Sequence, residues 1–152
     1  MSKKSVSSCE NLTINSDSVE LRQVRSAIEA AGSRVGFDKK DCHAMALAVD
    51  EALANVIKHA YGGACDKKIE IEIAELSGDT GEKGLKINIR DFGKAVEISK
   101  IKGRDLEDIR PGGLGVHIMR KVMDEVIFEC PPSGGTLLQM VKYRRNESEA
   151  KQ

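Results

Sequence analysis

A chain of 152 residues can bury roughly two-thirds of its unfolded surface in one core and is too short for a second independent one. Its 24 basic and 24 acidic side chains cancel, and no Lys/Arg block marks a nucleic-acid or membrane surface. With no Trp, two Tyr and three Phe, aromatic platforms for stacking single-stranded bases are not expected.

Cys9, Cys42, Cys65 and Cys130 are widely spread with no C-x-x-C pair, and Met1-Ser2-Lys3-Lys4-Ser5 lacks the apolar stretch of a signal peptide. A reducing cytoplasm is the expected setting, with the cysteines as small packing residues. No apolar run approaches the roughly 18 residues of a spanning helix.

In chain order, residues 1–8 and 144–152 are polar or charged and read as flexible termini around one domain, 9–143. Weak alternation through Leu12 and Ile14 predicts a first strand over 9–15. Asp17 with Glu20 forms a capping-box pattern and opens a helix whose core face is Val24, Ala27, Ile28, Ala31 and Val35, ended by Gly36. Asp38 and Asp41 open a second helix, with Met45, Val49, Ala52, Leu53, Val56 and Ala60 as its apolar band and Gly62-Gly63 as its stop. Ile69, Ile71 and Ile73, then Leu85, Ile87 and Ile89, alternate with polar residues across a turn-rich 77–84, which predicts an antiparallel hairpin with Asp91 where its second strand leaves the sheet. Residues 92–111 show no sustained period and read as a mobile lid. Leu114 to Val122 resumes helical spacing, and 126–128 with 137–141 flank Pro131-Pro132-Ser133-Gly134-Gly135 as a closing hairpin. The order predicts an α+β two-layer sandwich, with helices on one face of a mostly antiparallel sheet.

Chemistry concentrates in two segments. Glu51, Asn55 and His59 recur at i, i+4 and i+8, each rotated only about 40° from the last, so an α-helix would align them in one stripe. A solvated helix face explains such a stripe equally well, but Ala48, Ala52, Ala54 and Ala60 thin the helix beside it and would leave room for a ligand. Asn offers a neutral oxygen suited to Mg²⁺, and Glu can orient or deprotonate a hydroxyl. The second segment is Asp91-Phe92-Gly93 at a strand end, followed by Gly112-Gly113-Leu114-Gly115 at a helix start, where free N–H groups favour a phosphate.

Asp91-Phe92-Gly93 also spells a protein-kinase metal motif, but the strand Lys, the His-Arg-Asp loop and the larger domain of that fold are absent. The glycine cluster follows no strand and has Ile118 where a Rossmann turn needs its third glycine; no Walker A sequence occurs. His43 and His117 have no partner pattern and read as surface or packing residues. Lys94, Arg104 and Arg110 are the basic residues nearest the expected phosphates, with no catalytic role assigned.

Taken together, in this order and spacing, the segments resemble the GHKL ATPase superfamily and specifically the small bacterial anti-sigma-factor serine/threonine kinases, over about residues 9–143. The resemblance implies a Bergerat-type ATP-binding fold, with Asn55 as Mg²⁺ ligand and Glu51 as general base. It implies Asp91 as acceptor for the adenine amino group, Gly93 as the residue that lets the base approach, and Gly112, Gly113, Leu114 and Gly115 as the phosphate wrap. Thr136, after Gly135, corresponds to the family's closing Gly-Thr, whose hydroxyl supports the adenine contact through water. One departure is that Gly93 is followed by Lys94-Ala95, where the family commonly carries a second glycine.

The function this implies is an ATP- and Mg²⁺-dependent serine/threonine kinase that binds a sigma factor and phosphorylates a small antagonist protein in a partner-switching pathway. No direct nucleic-acid or membrane contact is expected, and a homodimer is compatible. Two alternatives stand beside it: a regulatory module that binds ATP without kinase activity, and a detached histidine-kinase ATPase domain. Against the last, no phospho-acceptor helix or dimerisation hairpin is present.

Overall fold

The computed structural model describes residues 4–93 and 111–145. Its first strand, β1 (Lys4–Asn15), begins well before the alternation that predicts it, because backbone pairing with the next strand continues to Lys4↔Gly78 regardless of side-chain type. Asp17 caps a single 3-10 turn, Ser18–Glu20, by accepting from the Val19 N–H at 3.1 Å. The capping box is altered: Glu20 accepts from the Asn15 N–H at 3.2 Å and so ties the turn to the strand before it.

Helix α1 (Leu21–Val35) buries Val24, Ile28, Ala31 and Val35. Gly36 ends it as expected, at a φ of +106° that a side chain would resist, with the Gly36 and Phe37 N–H groups both returning to the Gly32 carbonyl. Asp38 caps α2 (Lys39–Asn55) by accepting from the Asp41 N–H at 2.7 Å. Helix α2 buries Met45, Val49, Ala52 and Leu53. Arg25 joins the two helices by an ion pair to Asp50.

Strands β2 (Lys68–Gly78) and β3 (Lys83–Asp91) form the predicted antiparallel hairpin, extended into the expected turn region and reversing at Gly81 with φ +90°. Most of the expected lid, residues 94–110, lies outside the described residues. Helix α3 (Pro111–Val122) begins at the proline and not at Leu114, a first-turn position where the missing N–H costs nothing. Strands β4 (Glu125–Glu129) and β5 (Thr136–Tyr143) close the sheet.

All pairings are antiparallel, in the order β1-β2-β3-β5-β4. Alternation sorts the residues: Ile69, Ile71 and Ile73, with Leu85, Ile87 and Ile89, lie buried under the helices. Glu70, Glu72, Lys86, Asn88 and Arg90 line the opposite face, where the Asn88 amide donates to Glu72 at 2.9 Å. Helices cover one face of the sheet, the expected two-layer α+β arrangement. This layering fixes the site, because Asp91 continues the buried Leu85–Ile87–Ile89 series to the last rung of β3.

Candidate functional site

Asp91 is only 1% exposed, a rare setting for a carboxylate. Its Oδ1 accepts from the Gly93 N–H at 3.1 Å, and the Thr136 N–H also donates to the carboxylate. Burial pushes its pKa above the ordinary carboxylate value; those two N–H groups and the neighbouring Arg90 guanidinium act in the other direction.

The backbone around Asp91 is crowded so closely that glycine is required twice. A Cβ at Gly93 would lie 2.4 Å from the Ala60 carbonyl oxygen, and one at Gly135, where φ is +72°, would lie 2.1 Å from the Asp91 carbonyl oxygen. Next to Gly135, Thr136 is 6% exposed and its Oγ1 is buried with no hydrogen-bond partner among the described residues. An unpaired buried hydroxyl costs about 1–3 kcal/mol. Asp91 and Thr136 are direct partners across β3 and β5 and share the helix-covered face. A buried acceptor and an unpaired hydroxyl thus stand side by side, suited to a flat polar group bearing a donor.

Glu51 and Asn55 sit one turn apart near the end of α2, both half-buried. The stripe expected at α pitch stops there. Residues Val56–Ala60 form a π turn, with the Tyr61 N–H returning to the Val56 carbonyl at 3.1 Å, and His59 is exposed on it. Such widened turns recur at functional sites. The alanine argument is also corrected: Ala48, Ala52 and Ala60 are buried and pack in the interior, and only Ala54 is exposed. These three therefore face the interior and not an open surface beside the stripe.

Gly112, Gly113, Leu114 and Gly115 lie within the first turns of α3, already helical, and not in a loop ahead of it. The unpaired N–H groups of a helix start are therefore contributed by the glycine-rich segment. Helix α3 packs against α2, the helix that carries Glu51 and Asn55. Lys94, Arg104 and Arg110 lie outside the described residues. Among the described residues no three His, Cys, Asp or Glu side chains gather to hold a metal ion, and no helix is long and apolar enough to cross a membrane.

Tyr61 is a site residue to which the sequence assigned no role. Its hydroxyl accepts from the Phe92 N–H at 2.7 Å and donates to the Lys68 carbonyl at 2.5 Å, so it joins the π turn to the start of β2 and the end of β3. The sequence signal was slight: an aromatic with a polar tip just before the Gly62-Gly63 helix stop.

The buried strand-end acid framed by two obligatory glycines, and the helix with a carboxylate and a carboxamide one turn apart, thus belong to one two-layer α+β domain of the ATPase class that its family defines. The chain belongs to the histidine kinase-like ATPase domain family, whose model matches residues 14–142. It is 29% identical over 132 residues to the serine-protein kinase RsbW of Staphylococcus epidermidis, and 30% identical over 132 residues to that of Staphylococcus aureus. Each match covers 82% of this chain and 79% of the relative. The RsbW of Listeria monocytogenes serotype 4a is 30% identical over 127 residues, with 78% and 76% covered. In fold, the chain is similar to a structure of the RsbU and RsbW domains of a Mycobacterium tuberculosis protein, with a TM-score of 0.59 at 17% identity, covering 91% of this chain and 34% of that one. It is also similar to a chain of the SiaB–SiaC complex of Pseudomonas aeruginosa, with a TM-score of 0.53 at 12% identity and 91% of both chains covered.

Two outcomes follow from this geometry. Removing the Tyr61 hydroxyl in Tyr61→Phe should speed hydrogen exchange at the Phe92 amide and cost about 1 kcal/mol of stability; unchanged exchange would show that the bond does not hold the strand end. For Asp91, a folded pKa above the unfolded one means that its contribution to stability is fullest below the unfolded value and is lost as pH rises through the folded one. Denaturant titrations without nucleotide should therefore show wild type losing stability relative to Asp91→Asn as pH climbs out of the ordinary carboxylate range. A flat difference, or one of opposite sign, would contradict the raised pKa.

Proposed function

We propose that this protein is an ATP- and Mg²⁺-dependent serine/threonine kinase of the RsbW type, which binds a sigma factor and phosphorylates a small antagonist protein in a cytoplasmic partner-switching pathway. The observation that carries the ATP reading is the buried Asp91 carboxylate beside the Thr136 hydroxyl, which has no partner among the described residues, with Gly93 and Gly135 leaving no room for side chains around it. An adenine amino group donates where Asp91 still has acceptor capacity, and a water shared with Thr136 Oγ1 completes the recognition. Guanine presents a carbonyl there and faces a carboxylate, so ATP is selected over GTP.

In this reading Asn55 is the metal ligand, and the N-terminal turns of α3, with Gly112, Gly113, Leu114 and Gly115, present backbone N–H groups to the phosphates. Bound Mg-ATP supplies the γ-phosphoryl group and the cation that offsets its charge. Glu51, one helical turn before Asn55, takes the proton of the acceptor hydroxyl as the new O–P bond forms and the γ-phosphoryl leaves ADP. The kinase assignment is supported by the RsbW relatives, which are named serine-protein kinases. A partner protein as substrate is in keeping with a fold neighbour solved as a two-protein complex. The sigma factor and the antagonist come from the family resemblance.

A base that acts only on the acceptor does little for ground-state binding. Glu51→Gln should keep ATP affinity within about threefold and lower phosphate transfer to the co-purified antagonist by on the order of a hundredfold or more. Timed transfer from labelled ATP beside binding titrations checks both. A wild-type protein that forms the ATP-dependent complex yet transfers no phosphate would end the kinase reading and leave a nucleotide-binding module.

A further inference from the structure

Adjacent residues of a strand face opposite sides of the sheet, so Arg90 stands behind Asp91. Arg90 pairs with Glu70 and Leu137 on the helix-free face, while Asp91 pairs with Ile69 and Thr136 on the helix-covered one. The Arg90 guanidinium nevertheless reaches the backbone of Asp91. Its Nη1 donates to the Asp91 carbonyl at 2.5 Å and its Nη2 to Ser133 Oγ at 2.9 Å, while its Cζ lies 4.6 Å from the centroid of the Phe92 ring. One planar group thus holds the carbonyl of Asp91, the ring that follows it and the turn between β4 and β5. Gly135 makes the arrangement possible, since a Cβ there would lie 2.1 Å from the Asp91 carbonyl oxygen and 2.7 Å from Arg90 Nη1.

We infer that Arg90 is a positioning residue for base selection, acting from the opposite face of the sheet to fix the last peptide of β3 and with it the direction of the Asp91 carboxylate. This rests on the adenine-binding reading of Asp91. The fork is suited to the task because two of its nitrogens engage two acceptors from different elements at once; a lysine ammonium keeps the charge but lacks that planar fork. The guanidinium charge also favours the ionised form of Asp91. The bridge lies outside the hydrophobic core and adds no ladder bond, so its loss should alter selectivity far more than folding.

The test is calorimetric titration of wild type, Arg90→Lys, Ser133→Ala and the double variant with Mg-ATP and Mg-GTP, beside thermal melts. Arg90→Lys should weaken ATP about tenfold, the scale of one charge-assisted hydrogen bond, and leave GTP and the melting temperature nearly unchanged, so that the ATP:GTP preference narrows. Ser133→Ala should narrow it less, and the double variant no more than Arg90→Lys, because both substitutions break one bridge. Ser133 carries an exposed contact, so its variant keeps the test open should Arg90→Lys fold poorly. An unchanged preference, or equal losses of ATP and GTP affinity, would overturn the inference. Equal affinity for ATP and GTP in wild type would instead remove the adenine reading of Asp91, and this inference with it.

Discussion

The site depends on keeping one carboxylate out of water. Asp91 occupies the last helix-facing position of β3, where the same alternation that buries Leu85, Ile87 and Ile89 would ordinarily place another aliphatic side chain. Two backbone N–H groups, from Gly93 and Thr136, offset part of the desolvation. A ligand donor would offset more. The end of this central strand is therefore less favourable alone than it would be with a hydrogen-bond donor against it.

That strand end is held by bonds from elements far away in sequence. Tyr61, 31 residues before Phe92, bonds to its N–H, and the π turn that precedes Tyr61 carries the chain from the end of α2 to the strand ends. On the other face Arg90 reaches Ser133, 43 residues on. Both side chains grip the same peptide, Asp91–Phe92, Arg90 through its carbonyl and Tyr61 through its N–H, and leave the Asp91 carboxylate facing the helices. The half-buried Glu51 and Asn55 stand on α2 just before the π turn, so the segment that bears them is continuous with the one that grips the strand end.

Much of this was legible in the sequence. The period-2 runs of Ile69–Ile71–Ile73 and Leu85–Ile87–Ile89 specified the central hairpin and placed Asp91 at its end, because register follows directly from which face is buried. Asp38 and Gly36 marked the ends of α2 and α1 for reasons that are local to the chain, whereas Asp17 caps a 3-10 turn ahead of α1. What the sequence concealed was non-local or broke the assumed pitch. A helical stripe drawn at 3.6 residues per turn cannot reveal a π turn, so His59 was aligned with Asn55 although the backbone widens between them. Residues 4–8 lack alternation, yet they pair with β2 through their backbones. Of the alanines beside Glu51, Ala48, Ala52 and Ala60 are buried and only Ala54 is exposed, a distinction set by neighbours that no local pattern names. Tyr61 and Arg90 were visible as letters, but their partners lie across the fold.

The central claim is that the strand end around Asp91 is an adenine site. Its most direct test is a crystal structure of the protein grown with Mg²⁺ and a non-hydrolysable ATP analogue. The account predicts the adenine amino group within hydrogen-bond distance of an Asp91 carboxylate oxygen, with a water linking the ring to Thr136 Oγ1. A nucleotide bound elsewhere, with Asp91 still enclosed by protein alone, would contradict it.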